Sequence, residues 1–273
     1  MVPWVAAAAA FVLLFHEIAA NTALAWWRDP DAGHGLLLVP LAGWLAWRAG
    51  RAAGACAQPL LGSLLLLFAV LLRYFSGLAA ELFTQRLSMV GALLGLVVFV
   101  AGVRQVLHWW LPVALVLLSV PLPELLLNTL ALPLQLQASR LGAALLESRH
   151  VPVELSGNVI RLPGHTLFVT EACSGLRSLS ALLALGVLIG GLWLRSPWTR
   201  GLLVVVAVPV AMLLNGVRIF LTGFTVHYVD PKLGEGLMHY SEGWVMFVAA
   251  LALLGGVAWV LVRAERGPRA VVA

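Results

Sequence analysis

Long apolar stretches follow one another along the whole chain, and mostly short polar connections separate them. A helix needs roughly 20 apolar residues to cross the hydrocarbon core of a bilayer. On that measure the pattern predicts an all-α integral membrane protein, a bundle of about eight transmembrane helices. The predicted spans are residues 3–25, 34–48, 59–75, 87–103, 108–120, 172–194, 201–225 and 241–263.

The one long interruption of this pattern lies between the fifth and sixth spans. Up to Ser148 it is an apolar helix with polar breaks and a kink at Pro133, which favours an interfacial or re-entrant helix over another span. Short β-prone runs follow, separated by glycine-containing turns at 156–158 and 163–165. We therefore expect an interfacial helix and a small β-like meander on the outer face.

The first apolar stretch, Met1 to Phe15, is similar to the core of a signal peptide, and Ala23-Leu24-Ala25 is similar to a cleavage site. No Lys or Arg precedes the stretch, however, and the apolar pattern continues to about Trp27. We expect a retained first helix, with a cleaved signal peptide as the alternative.

Composition supports the membrane assignment. Hydrophobic residues make up 62% of the chain and charged residues 11%, and the mean hydropathy is +0.98, so no soluble surface of normal polarity is available. The excess of 17 Lys and Arg over 12 Asp and Glu would suggest nucleic acid in a soluble protein. Topology explains it better here, so the expected partner is the lipid bilayer and not nucleic acid.

Arginines orient the predicted bundle, because short loops rich in Lys and Arg stay in the cytoplasm. They fall on alternate connections and on the C-terminal tail, which places both termini inside. The connections that carry most of the acidic residues then face outward. The orienting residues are Arg48, Arg51, Arg104, Arg195, Arg200, Arg263, Arg266 and Arg269.

The outward end of the sixth helix carries the run Glu171-Ala172-Cys173-Ser174-Gly175-Leu176-Arg177. The i, i+4 spacing puts Cys173 and Arg177 on one helix face, so the guanidinium and the helix N-terminus both favour a thiolate. Ser174 is a weaker candidate nucleophile, because no Gly-x-Ser-x-Gly elbow surrounds it. Cys56 lies on the opposite predicted side, so it forms no disulfide with Cys173, and we expect it to be a small packing residue.

Polar residues of two more helices lie at the same predicted membrane face. Asn215 and Arg218 share one face of the seventh helix amid apolar residues, and His239 starts the eighth. A thiolate, an imidazole that moves protons and a cation that stabilises an oxyanion fit acyl transfer. A structural role for Arg218 beside Glu171 or Glu242 remains open. His239 competes on spacing alone with other outward histidines, namely His34, His150, His165 and His227.

These motifs resemble those of the exosortase/archaeosortase family of membrane transpeptidases. Residues Glu171 to Arg177 resemble its nucleophile motif, Asn215 to Arg218 with Ile219 its arginine motif, and His239 with Gly243 and Trp244 its histidine motif. Weaker similarity extends upstream through His34-Gly35, Pro121-Leu122-Pro123, Leu134-Gln135 with Ser139, and Gly157-Asn158.

The resemblance implies a sortase-like reaction with Cys173 as nucleophile, His239 as acid and base, and Arg218 as transition-state stabiliser. Neither a cofactor nor a metal is expected. The implied substrate is a membrane-anchored protein with a C-terminal sorting signal, which consists of a short motif such as Pro-Glu-Pro, a transmembrane helix and a basic cluster. Its acceptor is unknown and could be a lipid or a glycan. The expected supporting residues are Glu171, Ser174, Arg177 and Asn215.

The histidine favours the bacterial branch of the family, whose sorting accompanies exopolysaccharide production. The implied location is therefore the bacterial inner membrane, with several spans and an active site that faces the periplasm. A single domain is expected over residues 1–273, with a periplasmic or interfacial insertion at 121–170 and catalytic helices at 171–263.

Two other activities remain open. One is a transporter or flippase for a lipid-linked glycan, in which Arg177 and Arg218 bind an anionic head group. The other is an intramembrane protease that uses the same residues but only hydrolyses.

Overall fold

A computed structural model of the chain describes residues 2–29, 32–169, 176–229 and 237–266. Its helices and strands fall into two compact units, which we call the N-terminal unit, Met1–Pro123, and the C-terminal unit, Glu124–Ala273. The N-terminal unit contains α1 (Val2–Arg28), α2 (Gly35–Ala49), α3 (Pro59–Leu78), α4 (Leu82–Ala101), α5 (Val103–His108) and α6 (Trp110–Leu118). The C-terminal unit contains α7 (Glu124–Glu147), β1 (Glu154–Ser156), β2 (Val159–Leu162), β3 (His165–Phe168), α8 (Leu176–Trp193), α9 (Pro197–Tyr228) and α10 (Leu237–Arg266).

Helices occupy all eight positions where spans are predicted, but they differ in length. Among the described residues, five helical segments are long and apolar enough to cross a membrane, and α2 and the apolar part of α8 are shorter. The structure therefore agrees with an all-α membrane protein, while the count of eight spans stays a prediction. The five candidate spans are Ala9–Arg28, Pro59–Leu78, Leu82–Ala101, Pro197–Tyr228 and Trp244–Arg266.

The predicted fifth span is divided into α5 and α6, which meet at Trp109. Pro112 explains the division, because a proline has no amide hydrogen to donate to the carbonyl one turn earlier. Backbone hydrogen bonds still cross the junction, from Trp109 N to Gln105 O at 2.9 Å and from Val113 N to Trp109 O at 2.9 Å. The two short helices therefore continue one another with a local break.

Large apolar side chains cover much of the exterior of both units. Trp47 is 80% exposed, Leu60 77% and Trp198 88%. Such side chains contact acyl chains in a bilayer, where the backbone of a helix is already satisfied internally. The surface therefore supports a multi-pass membrane protein.

In the N-terminal unit, α3 and α4 pack closely through small residues. Gly62 lies against the backbone of Phe99, and a Cβ on Gly95 would lie 3.1 Å from Leu66 Cγ. These two contacts run in opposite chain directions, so the helices are antiparallel. Small residues allow such close approach in membrane helices, where dispersion contacts drive packing.

The predicted meander is present as a three-stranded antiparallel sheet in the order β1-β2-β3. Its turns contain Gly157 at φ +64° and Gly164 at φ +80°, a backbone region that residues with a Cβ rarely adopt. Ile160 is fully buried and packs with Leu146 of α7 in one apolar cluster. The sheet is therefore anchored to α7, and its placement on the outer face stays a prediction.

The predicted helix of the insertion is α7, with Pro133 inside it. Its described residues provide no candidate span, and its interfacial position stays a prediction. It packs tightly against α9, because Gly142 meets Ile219 and Gly216 meets Leu141 with no room for a Cβ at either glycine. This contact joins the insertion to the helix that carries Arg218.

Candidate active site

The helix α9 forms contacts with α7, α8 and α10 and is therefore the central helix of the C-terminal unit. A Cβ on Gly190 would lie 3.6 Å from the Cα of Arg200, and one on Gly186 would lie 3.6 Å from the Cα of Val204. Four residues forward along α8, from Gly186 to Gly190, thus correspond to four residues backward along α9, from Val204 to Arg200. The two helices are antiparallel and share the same rise per residue.

This register fixes the level of the polar residues of α9. Extended to the first residue of α8, it pairs Leu176 with Leu214. Asn215 and Arg218 therefore lie at, and just beyond, the level where α8 begins. Cys173 comes three residues before Leu176 in the sequence.

A cavity of about 30 Å³ lies among α8, α9 and α10, beside Asn215 and Arg218. Leu182, Met246 and Ala250 form part of its apolar lining. A water needs about 10–15 Å³ of such space, so the cavity accommodates one or two waters or a small group. Asn215 is only 6% exposed. A buried amide is costly in an apolar helix, which marks this position as more than packing.

The start of α10 belongs to the same arrangement. Position 239 lies in its first turn, seven residues before Met246. Seven residues make two helical turns, so positions 239 and 246 share one face and lie about 10 Å apart along the axis. The backbone therefore puts position 239 on the face that lines the cavity, two turns nearer the helix start.

The structure treats the predicted site residues unequally. Arg218 and Asn215 are described and lie together at the cavity. Cys173, Glu171 and Ser174 lie outside the described residues, as do the side chains of Arg177, His239 and Glu242. The predicted meeting of Cys173, Arg218 and His239 therefore stays a prediction, and so does the alternative that Arg218 pairs with an acidic residue.

The competing histidines in the described part of the chain have other surroundings. His34 binds the carbonyl oxygen of Leu118 through Nε2 at 3.2 Å, within the N-terminal unit. His227 follows Arg218 by nine residues, which is half a turn out of phase on the helix, and its ring packs edge-on against Tyr228 at 4.6 Å. His227 therefore lies on the face of α9 opposite Arg218, and the choice of His239 stays a prediction. The remaining two, His150 and His165, are exposed.

One cysteine expectation is wrong. Cys56 was expected to be a packing residue, but it lies exposed in the loop between α2 and α3. The physical reason is that the loop turns its backbone inward, so that the carbonyl of Cys56 abuts Gly102. Among the described residues, no three His, Cys, Asp or Glu side chains form a metal-binding group.

Asn158 holds the segment that leads to Cys173, a role that sequence reasoning did not assign to it. Val169 N donates to Asn158 O at 2.9 Å, and Asn158 Nδ2 donates to Val169 O at 3.0 Å. The same amide reaches Gln135 Oε1 of α7 at 3.5 Å. Asn158 therefore fixes the chain four residues before Cys173. An asparagine in a tight turn is ordinarily read as a turn former, so its position carried no signal of this contact.

The helices α8, α9 and α10 form a trio, and at the end opposite the cavity Glu265 of α10 joins them by hydrogen bonds. Its carboxylate accepts hydrogen bonds from Arg195 N and Ser196 N, both at 2.9 Å, and from the hydroxyl of Thr199. Arg200 donates to Leu194 O at 2.9 Å. Within this unit, the orienting residues Arg195 and Arg200, before and at the start of α9, therefore lie at the end opposite Arg218. Their assignment to the cytoplasm stays a prediction.

Together these features define a multi-pass helical membrane protein in which a buried asparagine and a half-buried arginine lie at one end of the helices α8, α9 and α10. The sequence profile of the transmembrane exosortases matches residues 26–256, across both compact units. The chain therefore belongs to the exosortase family, which implies a general role in processing sorting signals. No curated protein and no solved structure gives a significant match.

Proposed function

We propose that this chain is a cysteine transpeptidase that cleaves C-terminal sorting signals of the PEP-CTERM kind and passes the new carboxyl end to an acceptor. One observation carries the proposal. Asn215 and Arg218 lie beside a cavity at the end of the trio where α8 and α10 begin. The motifs of Cys173 and His239 stand in the sequence at those two helix starts.

In the first half of the reaction the thiolate of Cys173 attacks the carbonyl carbon of the scissile peptide bond. The tetrahedral intermediate carries a negative oxygen, which the guanidinium of Arg218 stabilises. The carbon–nitrogen bond then breaks, and His239 donates a proton to the leaving amine. The products are a thioester on Cys173 and a free transmembrane helix.

In the second half a nucleophile on the acceptor attacks the thioester carbonyl. His239 removes its proton, and the thiolate leaves. A lipid or glycan acceptor gives transfer, whereas water gives hydrolysis. No cofactor takes part in either half.

The supporting residues act on these groups. Arg177 and the N-terminus of α8 favour the thiolate of Cys173. Asn215 helps to position the side chain of Arg218, because the two residues lie three positions apart on one face of α9. Glu171 and Ser174 flank the nucleophile and shape the approach of the peptide.

The membrane placement follows from the substrate. A protein anchored by its own helix diffuses in the plane of the bilayer, so a site at the membrane surface need only receive the short motif. We propose an inner-membrane location with this site on the periplasmic side. The family match crosses both compact units, which supports one functional domain over the whole chain.

The test is co-expression with a reporter that ends in a Pro-Glu-Pro motif, a transmembrane helix and a basic cluster. We expect the wild-type chain to release the helix and Cys173→Ala to release none. Cys56→Ala is the matched control, because Cys56 is exposed in a loop of the other unit and should leave processing intact. Undiminished processing by Cys173→Ala, at equal protein level, overturns the proposal.

Mass spectrometry of the reporter then separates transfer from hydrolysis. An added mass on the new C-terminal peptide of the processed reporter indicates transfer, and a free carboxyl group at that end indicates hydrolysis. A transporter or flippase would need no thiol, and no observation favours that function here.

A further inference from the structure

A second concave feature lies in the N-terminal unit. It is a groove of about 380 Å³ along the last turns of α4, which we call the α4 groove. Its walls are largely apolar and one end is polar. It is lined by Leu96, Val97, Val100, Trp109, Gln105 and Arg51.

The polar end of the α4 groove is held rigid by buried hydrogen bonds. Gln105 is only 1% exposed; its Oε1 accepts from Ala52 N at 2.8 Å, and its Nε2 donates to Gly50 O at 3.0 Å. Trp109 Nε1 donates to the same Gly50 oxygen at 3.0 Å. These bonds fasten the loop between α2 and α3 onto α5, so the groove is preformed.

Two exposed arginines reach this loop at adjacent residues. Arg51 Nη2 donates to Ala55 O at 3.3 Å. The guanidinium of Arg104 lies against Gly54, with Nη1 3.1 Å from where a Cβ would stand. Arg51 therefore lines the polar end of the α4 groove, and Arg104 lies beside the neighbouring residue of the same loop.

The charge at the polar end of the α4 groove comes from arginine. Arg51 is the charged residue among those that line it. Glu81 precedes the first residue of α4, and the 20 residues of that helix put about 30 Å between its carboxylate and the groove end. The lining of the groove therefore carries a positive charge.

The size of the α4 groove restricts its occupant. On α4 its lining runs from Leu96 to Ala101, only about 8 Å along the helix axis, which is a short length for a second helix to pack along. An extended acyl chain is narrow enough to lie along it. In addition, α4 is a candidate span that ends at Ala101, which brings the polar end of the groove to the depth of lipid head groups.

We propose that the α4 groove binds an anionic phospholipid. One acyl chain lies against Leu96, Val97 and Val100, and the phosphate lies between Arg51 and Arg104. Guanidinium groups bind phosphate oxygens in a bidentate manner, which gives this site a preference for a negative head group. The site stands apart from the chemistry proposed for the C-terminal unit and does not depend on it.

The first test is native mass spectrometry of the purified wild-type chain after exchange into mixed phosphatidylglycerol and phosphatidylcholine. We expect retained phosphatidylglycerol to exceed phosphatidylcholine. Arg51→Gln and Arg104→Gln should each weaken that preference by about fivefold, the contribution of one surface arginine to anionic-lipid binding. Arg48→Gln is the matched control, since its guanidinium lies over the ring of Trp44 at 5.3 Å and should leave the preference unchanged.

The second test locates the acyl chain. In vesicles with a minor fraction of brominated phosphatidylglycerol, the emission of Trp109 should be quenched, and subtraction of the Trp109→Phe spectrum isolates that signal. Brominated phosphatidylcholine at the same fraction should quench less. Equal retention and equal quenching by both lipids, or no quenching of Trp109, overturn the proposal.

Discussion

The two ends of the α8–α9–α10 trio use polar residues in opposite ways. At the end held by Glu265, a carboxylate and an arginine bind the backbone groups that helices leave unsatisfied at their termini. At the other end, Asn215 and Arg218 stand inside a continuous helix and line a cavity. Polar residues in a membrane protein thus either complete helix ends or lie inside a helix, and the second kind marks the candidate site proposed above.

The apolar core between the two ends explains how they can differ. Leu203, Ala207 and Leu254 are fully buried and separate the end held by Glu265 from the cavity. Changes at one end should therefore reach the other weakly, because sites without shared partners behave additively. Each of the following variants tests whether the two ends act separately.

The largest effect is expected at the cavity end. Arg218→Gln should slow reporter processing by about a hundredfold to a thousandfold, the usual loss when one oxyanion-stabilising donor is removed. Arg200→Gln is the control in the same helix at the end held by Glu265, and it should keep the wild-type rate. Equal rates for wild type and Arg218→Gln, measured on folded protein in time courses, would remove Arg218 from the chemistry.

A smaller loss is expected from the residue that holds the segment before Cys173. Asn158→Ala should lower kcat by about tenfold to a hundredfold, because a small misplacement of a reacting group has this effect. KM should stay unchanged, since the peptide still binds. Glu154→Gln is the control in the same sheet, where it removes only the exposed ion pair with Arg161 at 3.0 Å. A matching loss in both variants, or a change in KM alone, contradicts a positioning role for Asn158.

At the end held by Glu265, a substitution should lower the thermal stability of the protein and leave the rate of reporter processing unchanged. Glu265→Gln removes the charge that attracts the amides of Arg195 and Ser196, so the thermal midpoint in detergent should fall. Processing measured well below that midpoint should equal the wild-type rate. Glu147→Gln, at an exposed helix end, is the control for both readouts. A slow Glu265→Gln enzyme that is still folded would show that the two ends are coupled.

The smallest effect is expected at a comparable carboxylate in the other unit. Glu81 caps α4 by accepting from Phe83 N at 3.0 Å and Thr84 N at 2.6 Å. The Thr84 hydroxyl, together with these amides, holds the pKa of Glu81 below its usual range. Glu81→Ala should lower the free energy of unfolding by about 0.5–2 kcal/mol at neutral pH.

The pH dependence of this difference has a definite sign. Because the folded pKa is lowered, the stabilisation by Glu81 is fully present above the ordinary carboxylate pKa of 4.5 and is lost as the pH falls below that value through the folded pKa. Thermal midpoints of wild type and Glu81→Ala should therefore converge in acid. A difference that widens in acid would contradict the cap.

Local sequence features predicted much of the fold. The apolar stretches located the helices, and Gly157 and Gly164 located both turns of the meander, since these turns need positive φ. The division of the fifth span was missed, although Pro112 gives the reason. The bonds of Gln105 and Glu265 join residues more than fifty positions apart, and no local pattern reports such pairings.

The sequence also predicted some residues of the candidate site and missed another. Asn215 and Arg218 were found because polar residues amid an apolar helix are costly, and their place at a cavity agrees with that reasoning. Asn158 was missed because its two bonds to Val169 depend on the folded sheet. The roles of Cys173 and His239 come from motif similarity and stay predictions.

The glycine contacts between α7 and α9 have a consequence for substrate access. Gly142 and Gly216 each sit where a single added carbon would collide with the facing helix, so the two helices interlock and cannot slide or part without losing that fit. For the membrane-anchored substrate proposed above, the incoming transmembrane segment is therefore not expected to pass between α7 and α9. We expect its peptide to reach the candidate site between other helices of the C-terminal unit.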